Sequence, residues 1–194
     1  VSNPLDVMTY AALKASNRPA NKVFGMAGTL DTGRYRAFLA EAINVSPNDI
    51  HAMLLGGHGD TMVPLPRYTS VNGIPVSQLL EKEKINSIVE RTKKGGGELV
   101  NLMGTSAWYA PGAAAASLVE AIVDDQKIIV PLCAYLNGSY GLTDVYLGVP
   151  VKLGKDGIEE IIEIDLDDDE KKLLETSANS VKNVMKALDD MNIL

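Results

Sequence analysis

His58 is one of only two histidines in the 194-residue chain, and it stands on a polar turn, Gly56-Gly57-His58-Gly59-Asp60, directly after the apolar run Ala52-Met53-Leu54-Leu55. Glycines on both sides allow close backbone turns and leave the imidazole uncrowded, which suits an exposed reacting group better than a packed core histidine. An imidazole titrates near about pH 6.5, so it can give or take a proton under physiological conditions. Asp31 and Arg34 stand three apart at the start of a helical segment and can project from one face toward a common neighbour. A carboxylate such as Asp31 stabilises the cationic form of a nearby imidazole and fixes its tautomer. The planar fork of Arg34 matches a carboxylate bidentately, and Asn3 can donate a hydrogen bond to a reacting oxygen. Together these residues describe a site for an α-oxo or α-hydroxy acid. Taken singly, Asn3 reads as a helix cap, and Asp31 with Arg34 reads as a solvated intrahelical ion pair worth about 0.3–0.5 kcal/mol.

The elements that must position these residues mix helices and strands, with neither repeats nor low-complexity tracts. Pro4 and the apolar spacing of Leu5, Met8, Ala12 and Ala15 predict a helix over 4–16. The run KVFGMAG (22–28) predicts a short strand buried on both faces, as in a parallel sheet, with pairing partners that would precede Val1. Helical spacing returns through Tyr35, Phe38, Leu39, Ala42 and Ile43, and DIHAMLLGG (49–57) predicts another short apolar strand. Asn72-Gly73 between β-prone residues marks a hairpin. KEKINSIVERTKK and GAAAASLVEAIVDDQ are helical, and the glycines of KKGGGE (93–98) between them predict a helix break or close packing. Downstream, QKIIVPLCAYL, DVYLGVPVKLG and GIEEIIEID predict a three-stranded antiparallel meander. Leu174, Ala178, Val181, Met185 and Leu188 recur at steps of four and three in a final helix, which DDDE opens with acidic residues.

Composition narrows the function classes. The 46% hydrophobic content suffices for a packed core, and no stretch approaches the ~18–20 uninterrupted apolar residues of a transmembrane helix. The start, VSNPLDV, lacks the basic flank and apolar centre of a signal peptide, so a soluble cytoplasmic protein with no membrane partner is expected. The single cysteine, Cys133, lies in an apolar run and is expected to be buried. A net charge of −7 argues against a nucleic-acid partner, which normally demands a basic stripe.

The motifs VSNP, MAGTLDTGRYR and LLGGHGDTMVPL, in this order and at these separations, resemble the lactate/malate dehydrogenase family. Within it they are most similar to the malate dehydrogenases of the lactate-dehydrogenase-like type. The resemblance runs through SAWYAPGAA and GVPVKLG to the last helix. It implies NAD-dependent oxidation of malate to oxaloacetate, with His58 as proton donor and acceptor, Asp31 as its orienting partner and Arg34 as the clamp on the substrate carboxylate. It further implies that Asn3 contacts substrate and nicotinamide, that Val1 and Ser2 run along the NAD cofactor, and that Ser106 and Ala107 form a pocket wall. Hydride transfer needs the nicotinamide because no side chain accepts a hydride. A homo-oligomer, dimer or tetramer, is expected by the same analogy.

Family members begin with a doubly wound nucleotide-binding domain, and the chain carries no G-x-G-x-x-G turn between a strand and a helix. KKGGGE does not replace it, lying at the end of a helical pattern without the Gly-Lys-Ser/Thr of a phosphate loop. The expectation is therefore the C-terminal part of a longer enzyme, α/β in class. Residues 1–29 would be the last strand and helix of an NAD-binding domain, and 30–194 an α+β substrate domain of helices packed on antiparallel strands. Lactate or another 2-hydroxy acid is the alternative substrate, since the loop that would select a second carboxylate is not in the chain. A serine hydrolase using Asp31 and His58 lacks a nucleophile elbow. A metal site on His58 and Asp60 lacks partners, with His51 expected to be structural in its apolar strand. The remaining rival is a substrate-domain remnant that binds no cofactor and serves as an interaction module.

Overall fold

The structure, a computed structural model, describes residues 1–192. Its centre is a three-stranded antiparallel meander of β6 (Ile128–Asn137), β7 (Thr143–Gly154) and β8 (Gly157–Ile161), in that order. The middle strand β7 is buried from Val145 to Val151, which explains why its sequence is apolar almost without alternation. Helix α1 (Leu5–Ser16), α2 (Ala27–Ile43), α4 (Tyr109–Val123) and α5 (Asp168–Asp190) pack around this sheet. The meander and the final helix match the sequence reading. Leu174, Ala178, Val181 and Met185 form the buried stripe of α5, and Asp167 with Glu170 closes a capping box at its start.

A second core lies between α2, α3 (Lys82–Met103) and the short strands β1 (Ile50–His51), β4 (Ser70–Val71) and β5 (Ile74–Pro75). Asn72 and Gly73 both take positive φ in the two-residue turn between β4 and β5, as the hairpin signal requires. Helix α2 is shared. Ala27 and Leu30 belong to the core around the meander, whereas Tyr35, Leu39 and Ala40 belong to the second. The polar residues near the start of α2 therefore sit where the two cores meet.

Four stretches differ from or qualify the local reading. KVFGMAG forms no extended strand among the described residues. Only Gly25 forms a bridge, exchanging both backbone hydrogen bonds with Cys133 of β6, while Phe24 and Met26 bond to Val1 on the other side. A side chain on Gly25 would strike Leu5 and Thr9, so the run lies against α1 and turns at once into α2. DIHAMLLGG is split into β1 and β2 (Leu54–Leu55); Ile50 and Leu54 face the second core, while Leu55 faces the core around the meander. β2 pairs with β3 (Val63–Pro64) rather than with β1's partner. α3 runs unbroken through Gly95, Gly96 and Gly97, so of the two readings, a helix break or close packing, the structure shows close packing. Gly95 is buried against Arg34 and Phe38, and the buried face of Ile85, Ile88 and Thr92 offsets the ~1 kcal/mol that each glycine costs a helix. His51 is exposed on β1 instead of packed.

Candidate active site

The turn that carries His58 is fastened on three sides. Gly56 exchanges backbone hydrogen bonds with Gly148 of β7 at 2.8 and 2.9 Å, and a Cβ on Gly148 would collide with the Gly56 carbonyl. Gly57 N–H donates to Ser177 Oγ of α5 at 2.8 Å, and His58 N–H donates to Asp6 Oδ2 of α1 at 2.9 Å. The turn closes through Met62 N–H to the Gly59 carbonyl. The imidazole is therefore not a free surface group: only 19% of its side chain is exposed.

From α2, Asp31 reaches the ring. Its Oδ2 lies 2.7 Å from His58 Nδ1, and its Oδ1 accepts a hydrogen bond from Arg34 Nη1 at 3.0 Å. Asp31 is buried, so the Asp31–Arg34 pair is not the solvated ion pair that its spacing alone suggests. Arg34 lies along α3, where the glycine run removes side chains from its path: a Cβ on Gly95 would stand 3.2 Å from Arg34 Cδ. Arg34 Nε is buried with no partner among the described residues.

Electrostatics follow from this packing. Burial disfavours the imidazolium of His58, but the hydrogen bond and charge of Asp31, with the charge of Asp6, outweigh burial and the opposing Arg34, so its pKa is raised above the ordinary value. The Asp6 carboxyl is also raised, by burial, although the Cys133 thiol and the His58 N–H both hydrogen-bond to its charged form. Cys133 is buried, as expected, and burial pushes its thiol well above the usual range.

These groups border one open cavity of about 570 Å³. Ser2, Asn3, Arg34, His58, Ser106 and Ala107 all line it, together with Met26, Leu30, Met62, Lys93 and Lys94. Of the site residues singled out in the sequence, Val1 and Asp31 do not line it: the Val1 backbone is engaged with Phe24 and Met26, and Asp31 lies behind His58. Asn3 does not cap α1, whose N-cap is Pro4 after a cis Asn3–Pro4 peptide, and its side chain is exposed. Sequence reasoning missed Asp6, Ser177, Lys93 and Lys94. Asp6 looks like an ordinary acidic first-turn residue and Ser177 like a surface residue of α5, so neither carried a signal beyond its helical phase. Among the described residues no three His, Cys, Asp or Glu side chains gather as metal ligands, and no helix is long and apolar enough to cross a membrane.

The arrangement provides a half-buried base and a guanidinium facing a common space, with a buried carboxylate behind the base, which suits proton exchange with a molecule that also carries a carboxylate. Residues 28–191 match the alpha/beta C-terminal domain of lactate/malate dehydrogenases. The chain is 66% identical over 98% of its length to a malate dehydrogenase of Cytophaga hutchinsonii and 62% identical over 100% to one of Salinibacter ruber, covering 61% of each. It thus spans about three fifths of the length of these curated relatives. Among solved structures, it superposes on the Salinibacter ruber malate dehydrogenase with a TM-score of 0.97 at 61% identity, covering 99% of this chain and 63% of that one. It superposes on the lactate dehydrogenase of Eimeria maxima with a TM-score of 0.94 at 45% identity, covering 98% and 59%. With a domain match over most of its length and a site built from the three motifs that first suggested it, the chain belongs to the lactate/malate dehydrogenase family.

Proposed function

We propose that the chain is the substrate-binding and catalytic portion of an NAD-dependent malate dehydrogenase, which interconverts malate and oxaloacetate. The observation that carries this reading is the His58–Asp31–Arg34 arrangement on a single cavity, at 2.7 and 3.0 Å. Asp31 holds Nδ1, so the neutral ring keeps its proton there and leaves Nε2 to take the proton of a substrate hydroxyl. Returning that proton to a carbonyl oxygen is the reverse step. Arg34 binds the substrate carboxylate and Asn3 donates a hydrogen bond to the reacting oxygen. Lys93 and Lys94 add positive charge to the cavity of a chain whose net charge is −7, which favours an anionic ligand.

Residues of the cavity fit a nicotinamide. Ser2 and Asn3 line it with exposed side chains, and the small Ser106 and Ala107 line it as well. Val1, Ser2 and Asn3 would hold the cofactor and Ser106 with Ala107 would bound the pocket. NAD, when bound, supplies the hydride acceptor that no side chain offers. The Eimeria maxima lactate dehydrogenase was solved with NADH and oxamate, which supports the same cofactor and a 2-oxo acid ligand. Residues 1–29 are proposed as the tail of the nucleotide-binding domain and 30–194 as the substrate domain. The family match begins at 28, in support. A cytoplasmic homo-oligomer is proposed by analogy with the family.

Lactate is the second reading, favoured by the likeness to a lactate dehydrogenase. The test is NAD reduction by the complete protein with malate and with lactate in parallel. Malate turnover supports the proposal, preference for lactate replaces it, and activity with neither leaves the interaction-module reading.

A further inference from the structure

Asp6 is a half-buried carboxylate beside this site that the proposed chemistry leaves idle. It sits in the first turn of α1 and uses both oxygens. Oδ2 accepts from His58 N–H at 2.9 Å, and Oδ1 accepts from the Cys133 thiol of β6 at 3.1 Å. Gly57 keeps the approach open, since a Cβ there would stand 3.2 Å from Asp6 Oδ2. Successive N–H groups of the turn, Gly57 and His58, are thus held by side chains from two different helices, α5 and α1. Asn3 precedes Asp6 by three residues on the same segment and borders the same cavity as His58.

We propose that Asp6 is a positioning residue, whose carboxylate ties the main chain of His58 to α1 and so sets His58 against Asn3 across the cavity. This inference rests on the dehydrogenase reading of that cavity. A charged acceptor binds an N–H about twice as strongly as a neutral oxygen does, and a carboxylate partly withdrawn from water needs such donors. Its charge acts on His58 as well. The charged groups around the imidazole are Asp31 and Arg34 from α2 and Asp6 from α1; Asp60 of the turn, Lys94 and Lys93, which is paired with Glu90, line the same cavity. Of these, Asp31 and Asp6 favour the imidazolium and Arg34 opposes it. Cys133, which faces Asp6 from β6, helps keep Asp6 ionised by its hydrogen bond.

The experiment uses the complete protein and two readouts, the NMR titration of the His58 ring without ligands and the steady-state constants for 2-oxo acid and NADH. Asp6→Asn keeps an acceptor oxygen and removes the charge, so His58 should titrate at lower pH while kcat is largely retained. Asp6→Ala removes the tie and should lower kcat about 10- to 100-fold, with NADH affinity within about twofold of wild type. Cys133→Ala, which withdraws the thiol donor, should move the His58 titration in the same direction as Asp6→Asn but less far, and Cys133→Ser should restore it. An unmoved titration in folded Asp6→Asn, or wild-type kcat in Asp6→Ala, overturns the proposal. Should Asp6→Ala fail to fold, the Asp6→Asn and Cys133 titrations decide. If the wild type turns over no 2-hydroxy acid, the dehydrogenase reading falls while the titration still judges the hold of Asp6 on His58.

Discussion

Asp31 divides its carboxylate between two partners, one oxygen 2.7 Å from His58 Nδ1 and the other 3.0 Å from Arg34 Nη1. Asp31 and Arg34 are three residues apart on one helix and move together with α2, whereas His58 is held separately by β7, α5 and α1. The Asp31–His58 contact is therefore what ties the proposed proton-transfer group to the proposed carboxylate clamp.

Asp31→Asn should lower the pKa of His58. In the wild type that pKa is raised, so the stability contributed by the imidazolium is present below about pH 6.5 and is lost as pH rises through the folded value. Without the Asp31 charge, burial and Arg34 are opposed by Asp6 alone, so the folded value falls, the stability contributed by the imidazolium shrinks and it is lost at lower pH. Following the His58 ring signal through a pH titration checks the sign, and an unmoved midpoint would show that Asp31 serves only to hold α2.

His58→Asn should leave the fold intact, because the turn is held by backbone bonds to Gly148, Ser177 and Asp6 rather than by the ring. Turnover of malate should fall roughly 100- to 10,000-fold with the loss of proton transfer. Circular dichroism and steady-state kinetics on the complete protein separate the two effects, and near-normal turnover would remove His58 from the proposed role.

Arg34→Lys keeps the charge and loses the planar fork. Binding of a 2-oxo acid should weaken by ~1.5–3 kcal/mol, while NADH affinity stays near wild type. Isothermal titration with oxamate and with NADH distinguishes this from a general disruption, which would weaken both.

Gly95→Ala places a methyl 3.2 Å from Arg34 Cδ and should displace the guanidinium, lowering 2-oxo acid affinity about tenfold. Gly33→Ala is the control on α2: it is exposed, with nothing within 4 Å of the added Cβ, and should add up to about 1 kcal/mol of helix stability with affinity unchanged. Melting temperatures and oxamate titrations of the two variants give the comparison. Equal affinities would mean that α3 yields to the methyl and the glycine is not needed for the clamp.

What the sequence by itself determined is what local chemistry encodes. The buried stripe of α5, its acidic start, the Asn72-Gly73 hairpin and the meander follow from spacing and turn residues alone, because period and φ preference act within a few positions. His58, Asp31, Arg34 and Asn3 were likewise legible from residue type and order. Only the tertiary structure decided what lies between distant segments. The backbone neighbours of KVFGMAG, Val1 and Cys133, are not marked in the run itself, and DIHAMLLGG sends Ile50 and Leu54 to one core and Leu55 to the other. The glycines of α3 read as a break or as close packing until Arg34, some sixty residues earlier, is seen lying against them. Asp6 and Ser177 carry no mark of their task, since holding the His58 turn depends on where α1 and α5 meet it. A helix reports its own phase through its periodicity, but the identity of the chain packed on its far side is set by burial summed over the whole molecule.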